Sequence, residues 1–312
     1  MDSIFADERK RFIHNMKVLS LFDGISCGMV ALERAGIPVE RYVAYEIEPN
    51  AIKISKKNYP MIEQHGNVFK ADFNEHSGFD LLIGGSPCTH WSIAQKPDKR
   101  EKTSSGLGWE LFCQYKRALD ESKCSYFLYE NNASMSEDIK VEITKCLGVD
   151  SILIDSALLS AQRRKRLYWT NIPGIVQPDN KRLVVADIVD PNAKSVDYID
   201  KAVFNGNQFV KEKSDDPIRV GIINKGRQGE RIYSINGKTV TMMAGAGGLG
   251  AKTGLYLIGE TVRKLTAVEA ERAQTLPDNY TAGISDAQRY KAIGNGWTVD
   301  VIAHILKGLL DS

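Results

Sequence analysis

Cys88 lies in the segment whose residue types are best suited to chemistry, residues 84–92 with the sequence GGSPCTHWS. The apolar run FDLLI at residues 79–83 predicts a buried strand, which the two glycines and Pro87 bring to an end. Cys88 is then expected at the carboxyl end of that strand, where open α/β sheets bind ligands. A cysteine on a tight turn before a long polar loop, here residues 89–108, is typical of a nucleophile beneath a lid. The alternative is a small buried core thiol, the commonest environment of a free cysteine.

Two further charged groups are predicted beside the same cleft. Glu130 follows a second apolar run at residues 125–129, so it is expected at the carboxyl end of a neighbouring strand. Residues 162–166, QRRKR, carry four consecutive positive charges and lead into another apolar run at 167–169. The alternatives are a solvated strand end or helix cap for Glu130 and a solvated face for the basic run. The position of the basic run between two predicted strands of the cleft favours contact with an anion.

The first part of the chain has the order strand, glycine turn, helix, strand. Strands are predicted at residues 18–22 and 42–45, with helices at 29–34 and 50–57, and Pro49 is well placed at a helix start. Glu46 follows Gly24 by about 20 residues, the spacing at which such folds place a carboxylate on ribose hydroxyls. The Gly-x-Gly-x-x-Gly fingerprint is absent, which favours a nucleoside cofactor without pyrophosphate over NAD. The alternative is that Glu46 only ends a strand; Asp72 is a further candidate contact.

The remaining elements predict two domains. Helices are expected at residues 109–119, 136–147, 266–274 and 297–309, with a strand at 151–156. Between residues 173 and 257 the alternation of strands and helices is lost, which predicts a small, mostly β domain inserted between residues 1–172 and 258–312. Its middle is locally basic and holds the glycine-rich stretch 244–250, a pattern that favours nucleic acid. Its basic residues are Arg219, Lys225, Arg227, Arg231, Lys238 and Lys252.

Composition bounds the class of protein. The 312 residues carry a formal net charge of +2, and 43% of them are hydrophobic, so a normal core is expected and a basic surface must be local. The five cysteines form no Cys-x-x-Cys pair, which argues for a reducing cytosol and against a disulfide framework or zinc site. We expect no signal peptide and no membrane span. The charged leader at residues 7–11 is predicted to be a solvated arm.

Six segments in this order resemble the motifs of the cytosine carbon-5 DNA methyltransferases. They are residues 22–24 (FDG), 87–88 (PC), 130–131 (EN), 162–166 (QRRKR), 263–278 and 294–297 (GNGW). Each match is short, but six in the family's order are specific, and they cover nearly the whole chain except the leader and the middle of the β domain. The form GGSPC most resembles bacterial and phage members and the catalytic domains of the animal de novo enzymes.

The resemblance implies a fold, a reaction and partners. The fold is α/β: a Rossmann-like S-adenosylmethionine-dependent methyltransferase domain with a small, mostly β target-recognition domain. The reaction is methyl transfer from S-adenosyl-L-methionine to carbon-5 of cytosine in double-stranded DNA at a short specific site. It proceeds by base flipping and a covalent Cys88 adduct, with S-adenosyl-L-homocysteine as product and no metal. The resemblance places the protein in the cytoplasm of a bacterium or phage-infected host, allows a cognate restriction endonuclease as partner, and leaves the oligomeric state open.

The resemblance also implies roles for individual residues. The catalytic residues are Cys88, Glu130, which holds the cytosine at N3 and the amino group, Arg164 on the ring carbonyl oxygen, and Arg166 in support. The residues around the cofactor are Phe22, Asp23, Gly24, Glu46, Ile47, Asp72, Phe73, Pro87, Leu111, Asn295 and Trp297. The DNA-binding residues are Thr89, Ser92, Gln162, Arg163, Arg219, Lys225, Arg227, Arg231 and Lys238.

Some residues depart from the family pattern, and two rival functions must be weighed against the family's reaction. Thr89 stands where Gln or Asn is usual, Asn132 where Val is usual, and residues 275–277 (TLP) replace a commoner Gly-Phe-Pro. None of these changes removes a catalytic group, which argues against a catalytically inactive DNA-binding relative. The other rival is an RNA cytosine carbon-5 methyltransferase, but residues 132–134 (NAS) do not match the Cys-Phe-Thr of the transfer-RNA branch.

Overall fold

A twisted seven-stranded sheet organises most of the molecule. The computed structural model describes residues 15–92, 98, 100–206, 208–244 and 253–310, with the Cys88 side chain outside the described part. The charged leader, the glycines at 245–250 and Lys252 therefore lie outside the described residues. The strand order is β3-β2-β1-β4-β5-β7-β6. The strands are β1 Met16–Leu21, β2 Val39–Tyr45, β3 Glu63–Gln64, β4 Leu81–Gly84, β5 Tyr126–Asn132, β6 Ile152–Asp155 and β7 Lys165–Thr170.

Parallel pairing brings the carboxyl ends of four strands to one edge. Strands β3, β2, β1, β4 and β5 run parallel, whereas β7 is antiparallel to both β5 and β6. Parallel strands buried on both faces need near-continuous apolar sequence, which the runs at residues 79–83 and 125–129 supply. The order reverses at β1 and β4, and a ligand crevice is expected outside the strand ends at such a reversal.

Helices cover both faces of this sheet. They are α1 Cys27–Ala35, α2 Pro49–Asn58, α3 Leu107–Ser122, α4 Glu137–Leu147, α5 Ala267–Ala273, α6 Asp286–Asn295 and α7 Val299–Leu306. Alternate strand residues point to opposite faces, so Val18 and Ile83 pack with α1, α2 and α7, while Leu19 and Leu82 pack with α3 and α4. The result is a three-layer α/β arrangement with a core on each side of the sheet. Among the described helices, none is long and apolar enough to cross a bilayer.

A second sheet of five strands forms the small β region. Its order is β12-β11-β10-β9-β8, and only the pair β10 and β11 is parallel. The strands are β8 Ala202–Phe204, β9 Arg219–Ile223, β10 Arg231–Ser234, β11 Leu255–Ile258 and β12 Thr261–Arg263. This sheet therefore continues past residue 257, where the sequence placed the end of the β domain, because β11 needs β12 to cover its outer edge.

The α/β class predicted from the sequence is confirmed, and most predicted elements are present within a few residues. One helix was missed: α6 lies between the two helices predicted near the end of the chain. Its start signal, Ser285 followed by Asp286, was present in the sequence. Its apolar pattern is weak because only Ile293 and Gly294 of this helix are buried. The final segment does pack back on the large sheet, as expected, with α7 against α1.

Hydrogen bonds of the Lys238 side chain link the β region to the large domain. Its side chain is fully buried, and its ammonium group donates to the carbonyl oxygens of Ala157, Ser160 and Leu183 at 2.6, 3.0 and 2.5 Å. Asp215 lies 3.5 Å away. A buried ammonium is tolerated only when its donors are satisfied, as they are here. The prediction that Lys238 binds DNA was therefore wrong: the segment that carries it turns inward, a feature that a count of basic residues does not reveal.

We expect Lys238→Met to lower the free energy of unfolding by about 3 kcal/mol, because three buried carbonyl oxygens would be left without their charged donor. Urea unfolding monitored by circular dichroism measures the change. Lys225→Met, at an exposed turn, is the matched control and is expected to change stability by less than about 0.5 kcal/mol. Equal stability of the Lys238 variant and the control would contradict this role for the buried ammonium.

Candidate active site

A cleft of about 1190 Å³, including its open mouth, lies at the carboxyl edge of the large sheet. Four strand ends supply its floor: Phe22 and Asp23 after β1, Glu46 after β2, Gly85 after β4, and Glu130 within β5. The strand ends meet here because the strands are parallel and adjacent. Residues 294–297, which form the end of α6 and the start of the turn that leads to α7, close one side. The sequence-predicted residues Gly24, Pro87, Thr89, Arg164, Arg166, Asn295 and Trp297 also line the cleft.

Asp23 is a half-buried carboxylate held by neutral hydroxyl groups. Its Oδ1 accepts from Ser20 Oγ and Tyr42 Oη, both at 2.7 Å, and its Oδ2 accepts from Ser26 Oγ at 2.5 Å. Burial raises the pKa of Asp23 to about 6, although the three hydroxyl hydrogen bonds act to lower it. Such a group is ready to accept a positively charged ligand, which would replace the hydration that burial removed.

Glu46 is held by backbone amides at the end of β2. Its Oε2 accepts from Gly24 N at 2.7 Å, and its Oε1 accepts from the amides of Ile47 and Glu48 at 2.7 and 2.8 Å. This fixes the carboxylate at the rim of the cleft, and a fixed carboxylate is a suitable acceptor for vicinal hydroxyls. Ile47 itself is 68% exposed beside Glu46 and is not among the residues that line the cleft.

The turn between β4 and Cys88 packs against Glu130 and the end of β5. Gly85 is required at this turn, because a Cβ there would lie 2.8 Å from Glu130 Oε2. Ser86 Oγ pairs with Tyr129 Oη at 2.6 Å, and Asn131 Nδ2 donates to Ser86 O at 3.2 Å, so the turn is tied to β5. Cys88 then begins the short 3-10 helix Cys88–His90. Its predicted role as nucleophile concerns a side chain outside the described part of the structure.

Glu130 is nearly buried, and both of its oxygens are bonded. Oε1 lies 2.8 Å from Arg166 Nε, and Oε2 accepts from Trp297 Nε1 at 2.9 Å. The antiparallel register of β5 and β7 pairs Asn132 with Arg166, which makes Glu130 and Arg166 diagonal neighbours on one face. The structure thus brings together three predicted site residues whose sequence positions are far apart, and it pairs Glu130 with the third arginine of the basic run.

Arg164, the first of the two predicted arginines, is committed to backbone carbonyls. Its guanidinium donates to Met242 O, Gly294 O and Gly296 O at 3.1, 3.3 and 3.1 Å. It is 4% exposed, although it contributes to the wall of the cleft. These contacts fix the turn between α6 and α7, which carries Trp297, against the backbone after β10 (Arg231–Ser234). Direct contact of Arg164 with a base stays a prediction.

Gln162 has an internal role, so its predicted contact with DNA was wrong. Its side chain is fully buried; Nε2 donates to Gln274 Oε1 at 2.9 Å, and Oε1 accepts from Met242 N at 2.8 Å. Arg163 differs, because its side chain is 43% exposed and pairs with Asp216. The alternation arises because successive residues entering a strand point to opposite sides.

The remaining predicted residues lie at or beyond the edge of the site. The Phe73 ring is fully buried in the core beneath α3, and its amide donates to Glu121 Oε2 at 3.1 Å, so its place beside the cofactor stays a prediction. Asp72 is exposed and accepts from Asn74 N at 3.0 Å. Neither Asp72 nor the half-buried Leu111 is among the described residues that line the cleft. Their roles, and that of Ser92, stay predictions.

Helix α6 supplies a wall that the sequence did not predict. Gln288 and Lys291 line the cleft together with the predicted Asn295, since residues three or four apart share one face of a helix. Lys291 Nζ lies 2.7 Å from Glu48 Oε2 across the cleft. Gln288 Oε1 is a buried acceptor without a hydrogen-bond partner, which indicates room for a donor from a ligand. Among the described residues, no group of three or more His, Cys, Asp or Glu side chains is arranged to hold a metal.

Comparison with known proteins gives the family. The family model described as C-5 cytosine-specific DNA methylase matches residues 16–147 and 160–311. The type II methyltransferase M.HhaI of Haemophilus parahaemolyticus is 29% identical over 310 residues, which cover 93% of this chain and 93% of that protein. The orphan methyltransferase M.Rho11sI of Bacillus phage rho11s is 28% identical, over 79% of this chain and 61% of that protein.

Solved structures share the fold. The S. pombe Dnmt2 methyltransferase superposes with a TM-score of 0.65 at 15% identity, covering 95% of this chain and 99% of that one. The Entamoeba histolytica methyltransferase EhMeth superposes with a TM-score of 0.69 at 16% identity, covering 96% and 98%. The matched family segments include every strand of the large sheet except β6 and carry the strand ends that build the cleft. The chain therefore belongs to the C-5 cytosine-specific DNA methylases and is a DNA cytosine-5 methyltransferase.

Proposed function

We propose that the protein methylates carbon-5 of cytosine within a short specific site of double-stranded DNA, with Cys88 as the nucleophile. The observation that carries the proposal is the pairing of Glu130 with Arg166 beside the turn that holds Cys88. A buried carboxylate and a guanidinium at one strand end can hold a base and stabilise the charge that develops on it. The acidic cleft next to this pair supports a cationic nucleoside cofactor.

The residues of the cleft fit S-adenosylmethionine. When bound, this cofactor supplies a methyl group on a positively charged sulfur. Asp23 offers a half-buried negative charge, Glu46 offers a fixed acceptor for ribose hydroxyls, and Gln288 offers a buried acceptor without a partner. The opposed charges of Lys291 and Glu48 bridge the cleft at its α6 side. An RNA or inactive-relative function lacks a comparable supporting observation.

The proposed chemistry begins at Cys88. Its thiolate adds to carbon-6 of cytosine, which makes carbon-5 a nucleophile toward the methyl group. Even with an ordinary pKa of about 8.5, a few per cent of a cysteine is thiolate at neutral pH and is strongly nucleophilic. Once carbon-5 carries the methyl group and S-adenosylhomocysteine is left as the product, water takes the carbon-5 proton and Cys88 leaves carbon-6 as the thiolate, which restores the aromatic ring and the free enzyme.

Glu130 and Arg166 act on the base in this proposal. The cytosine amino group donates to Glu130 Oε2 in place of Trp297 Nε1, and N3 is held through a proton shared between N3 and the carboxyl group. Arg166 keeps its contact with Oε1, so the carboxylate is oriented while negative charge develops on the ring. Arg164 fixes the turn before Trp297 and therefore acts on geometry. The base must leave the duplex to reach this buried pair, at a cost of a few kcal/mol.

The exposed basic residues of the β region are proposed to hold DNA. Lys225 and Arg227 lie on the turn between β9 and β10, and Arg219 lies at the other end of β9. At about 3.3 Å per residue the two ends of β9 are well over 10 Å apart, so these residues reach different phosphates. Few side chains remain for base edges, and each good contact discriminates by about 1–3 kcal/mol, so we propose a site of about two to four base pairs.

Cys88 is tested with DNA duplexes in which 5-fluorocytosine replaces cytosine. Fluorine blocks the final elimination, so the protein with S-adenosylmethionine should form a denaturant-resistant complex, visible as a shifted band. Cys88→Ser should form none while still binding DNA. Cys113→Ser, at an exposed thiol on α3, is the matched control and should react normally. A covalent complex with the Cys88 variant would assign the nucleophile elsewhere.

Cofactor binding is expected to depend on pH through Asp23. Its pKa is raised to about 6 by burial, so the carboxylate is charged above that pH and neutral below it. The affinity for S-adenosylmethionine should fall as pH decreases from about 7 to about 5. S-adenosylhomocysteine lacks the sulfonium charge and should show a smaller dependence. Isothermal titration of both ligands across this pH range measures the dependence, which the Asp23→Asn variant should lack. If the variant and the unaltered protein show the same pH profile, Asp23 is not the group responsible.

Phosphate and base contacts can be separated by salt dependence. Lys225→Ala and Arg227→Ala should weaken DNA binding evenly across sequences and make the salt slope shallower by about one unit for each phosphate that is no longer neutralised. A base-reading residue, for which Arg231 is the remaining candidate, should instead relax the sequence preference at one position. Binding to a randomised duplex library at two salt concentrations distinguishes phosphate contacts from base contacts. Lys145→Ala, which removes an exposed cation from α4, is the control. If the variants of the β region bind DNA with the same affinity and sequence preference as this control, the β region is not the DNA-binding surface.

A further inference from the structure

We propose that Glu101 is a positioning residue for Cys88: its carboxylate fastens together the two ends of the loop at residues 89–108. This inference rests on the proposed function, because it assigns a task to the segment that directly follows the nucleophile. Residues 93–97 and 99 of the loop lie outside the described part, and the inference depends only on its two ends.

The first end of the loop is bonded to Glu101 by two side chains. His90 Nδ1 lies 3.2 Å from Oε1, and Trp91 Nε1 donates to Oε2 at 3.2 Å. The backbone adds a third link, since Glu101 N donates to His90 O at 2.9 Å. Trp91 is fully buried in the core under α3, so the carboxylate is anchored to a fixed point. His90 is only two residues from Cys88 and ends the same 3-10 helix.

The second end of the loop is bonded through the start of α3. Gly108 N donates to both carboxylate oxygens, at 3.3 and 3.1 Å. The first amides of a 16-residue helix such as α3 carry partial positive charge and have no partner within the helix, so a carboxylate at this position is favourable. One side chain therefore satisfies groups from both ends of a loop of about twenty residues.

Two glycines are needed for this arrangement. A Cβ at Gly106 would lie 2.6 Å from Glu101 Oε1, and its φ of +84° is one that other residues rarely adopt. A Cβ at Gly108 would lie 2.6 Å from Glu101 Oε2, 2.7 Å from Trp91 Nε1 and 2.9 Å from His90 Cβ. The backbone thus approaches the carboxylate and its partners as closely as a glycine allows, which a loosely placed surface acid would not require.

The neighbouring residue ties this cluster to the segment after Glu130. Arg100 Nε donates to Trp91 O at 3.2 Å, and its other nitrogen donates to Ser134 O, two residues beyond the end of β5. Ser136 Oγ in turn donates to Lys102 O at 2.6 Å. The loop ends are therefore held relative to the strand that carries the catalytic carboxylate, so removal of the Glu101 carboxylate should disturb the distance between Cys88 and a base held by Glu130.

The test compares Glu101→Ala with Glu101→Gln. Misplacing a reacting group by about 1 Å can cost on the order of a hundredfold in rate, so we expect Glu101→Ala to slow 5-fluorocytosine adduct formation and turnover by about ten- to a hundredfold. Glu101→Gln keeps one oxygen acceptor and should recover much of the rate. The KM for DNA and the affinity for S-adenosylmethionine should stay within about twofold, because Glu101 touches neither ligand in this proposal. Glu110→Ala, which removes an exposed carboxylate from the first turn of α3, is the matched control and should react as the unaltered protein does.

A coupling measurement keeps the inference falsifiable if the alanine variant is unstable. His90→Ala should lower the adduct rate, and the combined loss in the double variant with Glu101→Gln should be smaller than the sum of the two single losses, because the two residues act through one contact. Additive effects, or an unchanged adduct rate in a folded Glu101→Ala protein, would overturn the inference. Absence of any adduct with the unaltered protein would instead contradict the proposed function, so the two failures are distinguishable.

Discussion

The buried carboxylate of Glu130 is the constraint on which the arrangement of the cleft depends. A charge at 8% exposure is stable only if both oxygens are bonded, and here Arg166 and Trp297 supply the donors from two distant parts of the chain. The strand register of β5 and β7 fixes the arginine, and the turn after α6 fixes the tryptophan. Gly85, in the turn before Cys88, allows the backbone to approach Glu130 Oε2 closely, because it carries no Cβ. Satisfying one charge thus brings the parts of the proposed reaction centre together.

Three carboxylates of the cleft accept hydrogen bonds from different kinds of donor, and this difference affects the pKa of Asp23 and the mobility of the other two. Glu130 faces a guanidinium, Glu46 accepts from three backbone amides, and Asp23 accepts from three neutral hydroxyl groups. Desolvation without a nearby cation leaves the pKa of Asp23 raised, to about 6. The ordered donors make Glu130 and Glu46 rigid acceptors. Asp23 is the group that would stabilise a positive charge on a ligand most.

The β region is connected to the reaction centre through a short stretch of backbone. Arg163 N donates to Thr239 O and Thr239 N donates to Ala161 O, beside the buried ammonium of Lys238. Gln162 extends this link to Met242 and Gln274. The strand that bears Arg166 begins directly after this junction. A displacement of the second sheet would therefore be transmitted to Arg166, the partner of Glu130, so the proposed binding of DNA at the β region would have a physical route to the reaction centre.

The sequence by itself determined the class of fold, the order of the strands that end in functional residues, and the family. Those properties follow from local patterns: apolar runs that end at Glu46, Gly84 and Glu130, and six short motifs in a fixed order. Only the tertiary structure decided the direction of each side chain. It turned Gln162 and Lys238 inward, gave Glu130 to Arg166, and placed α6 and Glu101 against the cleft and the loop ends. These outcomes depend on strand register and on contacts between residues far apart in the chain, which composition and spacing do not encode.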